Sequence, residues 1–237
     1  METFYDRYNF PDGGEKRKDC WKKHLAKHLD FDSLKNKTVL DVGCGTGTMS
    51  KILYGAGADI YAIDLSRKSI ESVNKAYPEI KAKVGDALHL DFPDNHFDIV
   101  ISIGVLHHTP DTHKGFEECV RVTKSKGQCI IMLYSKWHYY PLIYKSFKLF
   151  RQNKKPEDMP RWFIKSIKRF TEFYYKEPRD DQDAVHLIAD QLFTPIAKFH
   201  SEFEIKKYIR EMECELISTS TTFLGQHKIY NLLKKKG

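Results

Sequence analysis

Short apolar runs alternate with amphipathic segments along the first 134 residues of the chain. Residues 38–42 form an almost unbroken β-branched and aliphatic run with one acid, Asp41, and this pattern is typical of a buried parallel strand. Apolar residues at helical spacing lie between such runs. The alternation implies right-handed crossovers and a doubly wound parallel sheet of the α/β class, with four more strands predicted at 59–64, 80–84, 97–103 and 129–134.

The alternation stops at Ser135. From there to His200 the pattern is helical and aromatic, and the spacing predicts two helices separated by a polar link at 152–160. The segment is too short for an independent core, so we expect a helical cap inserted after the fifth strand. An insertion at the carboxyl end of a parallel sheet lies above the ligand crevice, which makes this cap a candidate lid.

The N-terminal segment combines a turn at 11–14 with a helix that carries Trp21 and further apolar residues on one stripe. The rest of the helix surface is rich in lysine, so the single apolar stripe indicates that this side of the helix packs against another part of the protein. Two interpretations stay open: a helix that covers the edge of the sheet, or a flap that closes Tyr5, Tyr8 or Trp21 over a ligand.

The final third of the chain closes the sheet. Ser201 and Glu204 have the spacing of a helix capping box. Two β-rich stretches follow, and their link is so short that the strands must be antiparallel, which brings the predicted sheet to seven mostly parallel strands. We expect a single domain over 1–237, made of a flap or helix (1–35), a core (36–134), the cap (135–200) and a closing helix with two strands (201–237).

The first predicted strand runs into three alternate glycines, Gly43, Gly45 and Gly47, and a helical pattern follows. Such a loop delivers backbone N–H groups and a helix N-terminus to one place. The spacing differs from the dinucleotide motif, and no Gly-Lys-Ser/Thr follows, which excludes a phosphate-binding P-loop. Asp64 ends the second strand, where a doubly wound fold offers an acid to paired ribose hydroxyls, so a nucleoside ligand is predicted.

Composition narrows the class of protein. No window approaches the roughly 18 consecutive apolar residues of a bilayer crossing, and no basic-then-apolar signal opens the chain, so we expect a cytoplasmic protein without membrane insertion. Five widely spaced cysteines without a CxxC pair favour reduced thiols. The net charge of +7 would suit nucleic acid, but the lysines lack the aromatic and glycine pattern of an RNA-binding strand, which favours a solvated basic surface.

Four stretches in this order resemble the consecutive motifs of class I S-adenosylmethionine-dependent methyltransferases of the small-molecule type, namely residues 39–47, 62–66, 85–87 and 97–108. The resemblance covers about residues 36–134. It implies S-adenosylmethionine as the cofactor and S-adenosylhomocysteine as its product.

Carried over residue by residue, the resemblance implies a set of cofactor contacts. The loop would approach the methionine part by its backbone, Asp64 would hold the ribose hydroxyls, and Asp86 would accept from the adenine amino group. The alternative interpretation is that both acids are ordinary strand-end residues. The implied residues are Asp41, Gly43, Cys44, Gly45, Gly47, Asp64, Leu65, Asp86, Ala87, Ile103 and Gly104.

Candidate catalytic residues follow the fourth strand. Methyl transfer needs an in-line approach, exclusion of water and, for an oxygen nucleophile, removal of a proton. Histidine side chains ordinarily titrate near working pH, which makes His107 and His108 the candidates. The resemblance favours His107 of the two as base or substrate anchor, and a histidine that packs beneath the loop and caps backbone groups stays an open alternative. Tyr8 and His200 complete the candidate set, and His200 belongs to a loosely family-like segment with His186 and Asp190 that also reads as caps and turns.

We therefore expect methyl transfer to a small-molecule acceptor, with oxygen as the first choice of acceptor atom and nitrogen as the second. No metal is implied, because the acids are not clustered for an octahedral site. RNA or protein methylation is an alternative that the basic charge favours, although residues 102–105 lack the Asn/Asp-Pro-Pro-Tyr/Phe signature. A cofactor-binding regulatory subunit without catalysis is a second alternative.

Overall fold

The computed structural model describes residues 2–8, 15–176, 178, 180–222 and 225–236. Seven strands are present in these ranges: β1 (Thr38–Val42), β2 (Asp59–Asp64), β3 (Lys81–Val84), β4 (Phe97–Ile103), β5 (Thr123–Tyr134), β6 (Cys214–Thr222) and β7 (His227–Lys234). They form one sheet in the order β3-β2-β1-β4-β5-β7-β6. β7 is antiparallel to β5 and to β6, and the pairs from β3 to β5 are parallel, which confirms the predicted fold class.

The described ranges contain α1 (Glu2–Arg7), α2 (Glu15–Leu25), α3 (Thr48–Tyr54), α4 (Arg67–Ala76), α5 (Thr112–Val122), α6 (Tyr140–Ser146), α7 (Lys148–Asn153), α8 (Arg161–Tyr175), α9 (Asp181–Ile188) and α10 (Glu202–Glu211). The predicted capping box of α10 is present: Ser201 Oγ accepts from the N–H of Glu204, and the Glu204 carboxylate accepts from the N–H of Ser201. None of the helices in these ranges combines the length and apolar character that a bilayer crossing requires.

Both faces of the sheet are covered by apolar clusters. Alternate residues of a strand point to opposite faces, so Leu40 packs with Phe116 of α5 and Ile205 of α10. Its neighbour Val39 packs on the other side with Leu53 of α3 and with residues of α4. This double burial explains why β1 reads as a nearly continuous apolar run.

The prediction of two helices in the cap is wrong in number, because four α-helices, α6 to α9, lie between β5 and α10. The first predicted helix is divided at Phe147, which lies between α6 and α7. An additional helix, α9, begins after Asp180, whose carboxylate accepts from the N–H of Asp183 and caps it. A π-helical turn, Ala189–Phe193, follows α9 and leads the chain back to the sheet.

The N-terminal helix α1 connects the core to the cap. Ser66 Oγ, next to the end of β2, donates to the carboxylate of Asp6 over 2.6 Å. The hydroxyls of Tyr5 and Thr194 lie 3.1 Å apart, and the Tyr8 hydroxyl donates to the carboxylate of Glu157. The predicted turn at 11–14 and residues 223–224 of the predicted closing strand and link lie outside the described residues.

Candidate cofactor and acceptor site

A cavity of about 330 Å³ lies at the carboxyl ends of β1, β2 and β4. Ten of the eleven residues predicted to bind the cofactor line it. The exception is Gly47, which directly precedes α3. A Cβ added to Gly47 would approach Val73 of α4 and Tyr77 directly after α4, so this glycine serves the turn into α3. Of the candidate catalytic residues, Tyr8, His107 and His108 also line the cavity.

The glycine loop is tied to the neighbouring strand β2. The N–H groups of Gly43 and Cys44 both donate to the carbonyl oxygen of Ile63, over 2.8 and 2.9 Å. Gly43 has φ +76°, and a Cβ there would lie 2.3 Å from Val105 Cγ2, so the close approach requires glycine. Gly45 has φ +52°, and a Cβ there would meet no atom within 4 Å. Its backbone therefore borders open cavity and leaves room for a ligand.

Two predicted acids are oriented by backbone N–H groups. The carboxylate of Asp64 accepts from Gly45 N–H over 2.9 Å and from Ser66 N–H over 2.8 Å, while burial raises its pKa. The carboxylate of Asp86 accepts from Leu88 N–H over 2.9 Å. A carboxylate oxygen has more than one lone pair, so both acids can still accept from hydroxyl or amino groups in the cavity.

Asp41 lies near the end of β1 and is buried. Ser50 Oγ of α3 donates to its carboxylate over 2.6 Å. Burial, with a smaller contribution from the charge of Asp64, raises the pKa of Asp41 to about 7. A cationic group that binds beside Asp41 would favour its charged form and lower this pKa.

His107 is fully buried and makes no hydrogen bond of normal geometry with either ring nitrogen within the described residues. Its ring centroid lies 3.7 Å from that of Tyr134. Burial, followed by the nearby imidazoles of His108 and His227, holds its pKa well below the usual range, and the backbone of Met132 offsets this only in part. His107 is therefore neutral at physiological pH, and a neutral imidazole has one donor and one acceptor nitrogen.

His108 differs from its neighbour because its nitrogens are engaged. Nδ1 donates to the carbonyl oxygen of Ile196 over 2.7 Å, which places the proton on this nitrogen. Nε2 lies 3.3 Å from the Tyr134 hydroxyl and 4.0 Å from the carboxylate of Asp190. His108 is thus the histidine that caps a backbone group. Its hydrogen bond to Ile196 joins the core to the chain after α9.

Tyr8 and His200 occupy peripheral positions. The Tyr8 hydroxyl donates to both carboxylate oxygens of Glu157, at 3.0 and 2.9 Å, and burial together with Glu157 raises its pKa to about 12. His200 does not line the cavity; its backbone pairs with the end of β5, and its ring centroid lies 6.3 Å from that of Tyr208 on α10. Tyr8, His107 and His108 thus line one cavity, whereas His200 lies outside it, although its imidazole is close enough to help lower the pKa of His107.

Tyr134 and His227 line the cavity and were missed by sequence reasoning. Gln191 Nε2 donates to the Tyr134 hydroxyl over 3.1 Å and to the Asp190 carboxylate over 2.6 Å. Tyr134 ends β5, a position at the carboxyl edge of the sheet that could have drawn attention to it. His227 begins β7, and an antiparallel strand has its first residue at the edge where its parallel neighbours end.

Part of the chain matches a known family. Residues 40–131 match a family model described as a methyltransferase domain. The chain is 35% identical over 116 residues to a demethylmenaquinone methyltransferase of Paenarthrobacter aurescens (strain TC1), covering 48% of this chain and 45% of that protein. It is 31% identical over 148 residues to a probable chloroplastic tocopherol O-methyltransferase of Oryza sativa subsp. japonica, covering 60% and 37%. The matched part spans about half or less of these relatives.

A solved structure shares the fold over most of the chain. The magnesium protoporphyrin IX methyltransferase of Synechocystis PCC 6803 with bound SAH has a TM-score of 0.62 and 16% sequence identity, and covers 93% of this chain and 84% of that chain. An identity this low shows the fold alone. Together with the sequence match, it confirms the predicted resemblance: residues 40–131 match a methyltransferase domain, and the chain shares the fold of a methyltransferase solved with bound SAH.

Proposed function

We propose that the protein transfers a methyl group from S-adenosylmethionine to an oxygen atom of a small aromatic acceptor. One observation carries the proposal: a single cavity joins the glycine loop and Asp64 to His107, a buried imidazole without a hydrogen-bond partner of normal geometry. The aromatic rings of Tyr5 and Tyr134 line the same cavity and suit a flat acceptor. The rice relative is a probable tocopherol O-methyltransferase, which agrees with this choice of atom.

The lining fits the proposed cofactor. S-adenosylmethionine supplies a methyl group on a positively charged sulfur, which is already a strong electrophile. The open backbone at Gly45 leaves space for it, and the oriented carboxylates of Asp64 and Asp86 can accept from ribose hydroxyls and an adenine amino group. The buried carboxylate of Asp41 can balance a cationic amine.

The role proposed for His107 is to bind and deprotonate the acceptor hydroxyl. A neutral imidazole can accept that proton, and a hydroxyl would provide the hydrogen bond that the buried nitrogen lacks. Its low pKa makes His107 a weak base. A weak base is sufficient here, because the hydroxyl proton becomes strongly acidic as its oxygen gains the methyl carbon. Burial of the imidazole also excludes water from the reacting atoms.

Methyl transfer from labelled S-adenosylmethionine to a panel of hydroxylated aromatic compounds tests this function. His107→Gln should lower turnover about 100-fold, as expected for loss of a general base, and leave the cofactor Kd within about twofold. His113→Gln, a change at a histidine that pairs with Glu211 away from the cavity, is the matched control. Unchanged turnover in His107→Gln would refute its role. Firm cofactor binding with no transfer to any acceptor would favour a regulatory subunit.

An amine acceptor is the second candidate, and the position of Asp190 favours it. Burial raises the pKa values of Tyr5 and Tyr134, and the nearby charge of Asp190, which also lines the cavity, adds to both shifts. A carboxylate among aromatic rings is a good site for an ammonium group. Asp190→Asn should then lower turnover of amines in the same panel about tenfold and spare hydroxyl compounds. Equal effects on both acceptor classes would exclude this role.

A further inference from the structure

The positive charge of the cap is concentrated in its first part, because residues 177–200 add five acids and only two basic residues. Residues 135–176 contain eleven lysines and arginines and three acids, a formal charge of +8, whereas the whole chain carries +7. The remainder of the chain is therefore close to neutral. A basic segment this dense, on a single insertion, points to an acidic partner for the cap rather than for the core.

The same segment exposes most of the large apolar side chains. Twelve large hydrophobic residues are exposed in the described ranges, and eight of them lie between 135 and 176. The most exposed are Trp137 at 81%, Phe173 at 82% and Leu142 at 74%. Single exposed apolar residues are ordinary, but a group confined to one insertion marks an interaction surface.

Helix α8 shows how the two features combine. Ile164 and Thr171 are buried on its inner side. On the outer side, Trp162, Lys165, Arg169 and Phe173 are all exposed and recur at intervals of three or four residues, so they lie on one stripe of the helix. This stripe places two basic side chains between two aromatic ones along about three turns.

The surface continues from α8 onto α7. The ring centroid of Phe147 lies 6.0 Å from that of Phe150 and 6.4 Å from that of Phe163, which is 5.8 Å from Trp162. Phe150 and Trp162 therefore border the same small aromatic cluster. We define the docking face as Trp162, Lys165, Arg169 and Phe173 of α8 with Phe150 of α7.

We propose that the docking face binds the surface of an anionic phospholipid bilayer. Aromatic side chains rest at the boundary between headgroups and acyl chains, and lysine and arginine beside them contact anionic headgroups. Single-stranded nucleic acid would use the same aromatic and basic side chains, so RNA binding is the competing outcome of the test. The inner side of the cap contributes Tyr174 and Leu187 to the cavity, so docking would bring the cavity close to the lipid.

Co-sedimentation with vesicles tests the proposal without any measurement of methyl transfer. The protein should bind vesicles of phosphatidylcholine and phosphatidylglycerol in equal amounts and should not bind phosphatidylcholine alone. Lys165→Glu/Arg169→Glu should weaken binding about 30-fold or more, because each basic residue near an anionic surface contributes about a factor of five. Trp162→Ala/Phe173→Ala should weaken it about tenfold.

Matched controls lie outside the cap. Phe203→Ala removes a side chain of α10 that is 73% exposed, and Lys68→Glu/Lys75→Glu reverses two exposed charges on α4. Both should bind vesicles like the wild type. The proposal is overturned if mixed vesicles do not bind, if the controls lose binding as strongly as the docking-face variants, or if only the charge reversal matters. Binding of single-stranded RNA in the absence of vesicle binding would identify a nucleic-acid surface instead.

Discussion

Two neighbouring histidines, His107 and His108, have the same chemistry in the sequence and different surroundings in the structure. His108 is engaged by Ile196 and Tyr134, whereas the nitrogens of His107 make no hydrogen bond of normal geometry. His108 can therefore be replaced by another hydrogen-bonding residue without removing a group of the proposed reaction, whereas His107 cannot. Because His107 and His108 are adjacent, the sequence could identify both as candidates. Only the family resemblance favoured one of them.

The first residue-level prediction concerns Asp64. Asp64→Ala should weaken S-adenosylmethionine binding about 10- to 100-fold, because a charged acceptor of ribose hydroxyls contributes a few kcal/mol. Isothermal titration calorimetry measures the change. Asp59→Ala, at the opposite end of the same strand and paired with Lys81 at the surface, should bind the cofactor normally. Unchanged affinity in Asp64→Ala would contradict the cofactor assignment.

The second prediction concerns the pH dependence of stability at Asp41. Its pKa is about 7 in the folded protein and 3.8 in the unfolded reference. The folded state therefore retains a proton that the unfolded state loses, so stability is full below pH 4 and falls as pH rises through 7. This loss should be of order 2 to 4 kcal/mol.

Asp41→Asn has no such titration. Its unfolding free energy relative to the wild type should rise between pH 5 and pH 8 in urea melts without cofactor. Asp91→Asn, at an exposed carboxylate, is the control and should show no such trend. A constant difference between Asp41→Asn and the wild type across this range would show that Asp41 is charged in the folded protein.

At the scale of elements, the glycine loop was the most predictable part of the chain. Its three glycines, its strand and its helix all lie within one short segment, so local sequence is enough to specify them. The cap was less predictable. The division at Phe147 and the start of α9 depend on packing and on one capping acid, Asp180, that the apolar pattern does not record. Apolar spacing indicates that helices are present more reliably than it indicates where they end.

Two glycines of the loop should respond differently to alanine. Gly43→Ala should lower the unfolding free energy by about 2 to 4 kcal/mol, because its Cβ would overlap Val105 in a left-handed backbone conformation. Gly45→Ala should cost only about 1 kcal/mol, since its Cβ meets open cavity. Its larger effect should be on cofactor affinity. Urea melts and calorimetry separate the two, and equal stability losses would contradict this distinction.

For the molecule as a whole, α1 is the element that joins the parts. It reaches Ser66 beside β2, Thr194 after the π-helical turn and Glu157 in the cap, so it spans the cofactor side and the proposed acceptor side. The residues of the N-terminal segment lie where both of its interpretations require, and closure of a flap over a ligand stays a prediction. Trp21 of α2 packs on the apolar cluster under the sheet, and Tyr5, Tyr8 and Trp21 line the cavity.

Tyr8→Phe should loosen this connection. The change removes the hydrogen bonds to Glu157, which should cost about 1 kcal/mol and speed amide hydrogen exchange in residues 2–8. The acceptor KM should rise while the cofactor Kd stays constant. Tyr54→Phe, at an exposed tyrosine of α3, should behave like the wild type. Exchange in residues 2–8 at the wild-type rate would show that α1 is anchored by other contacts.

The sequence by itself determined the alternating core, the glycine loop and the acids that follow β2 and β3, because buried parallel strands and tight turns leave local patterns. Only the tertiary structure decided which distant residues share the cavity. Tyr5, Tyr134 and His227 meet there although they lie far apart along the chain. Their meeting depends on strand order, on the antiparallel β7 and on the path of the cap, and these are products of packing between elements rather than of any one segment.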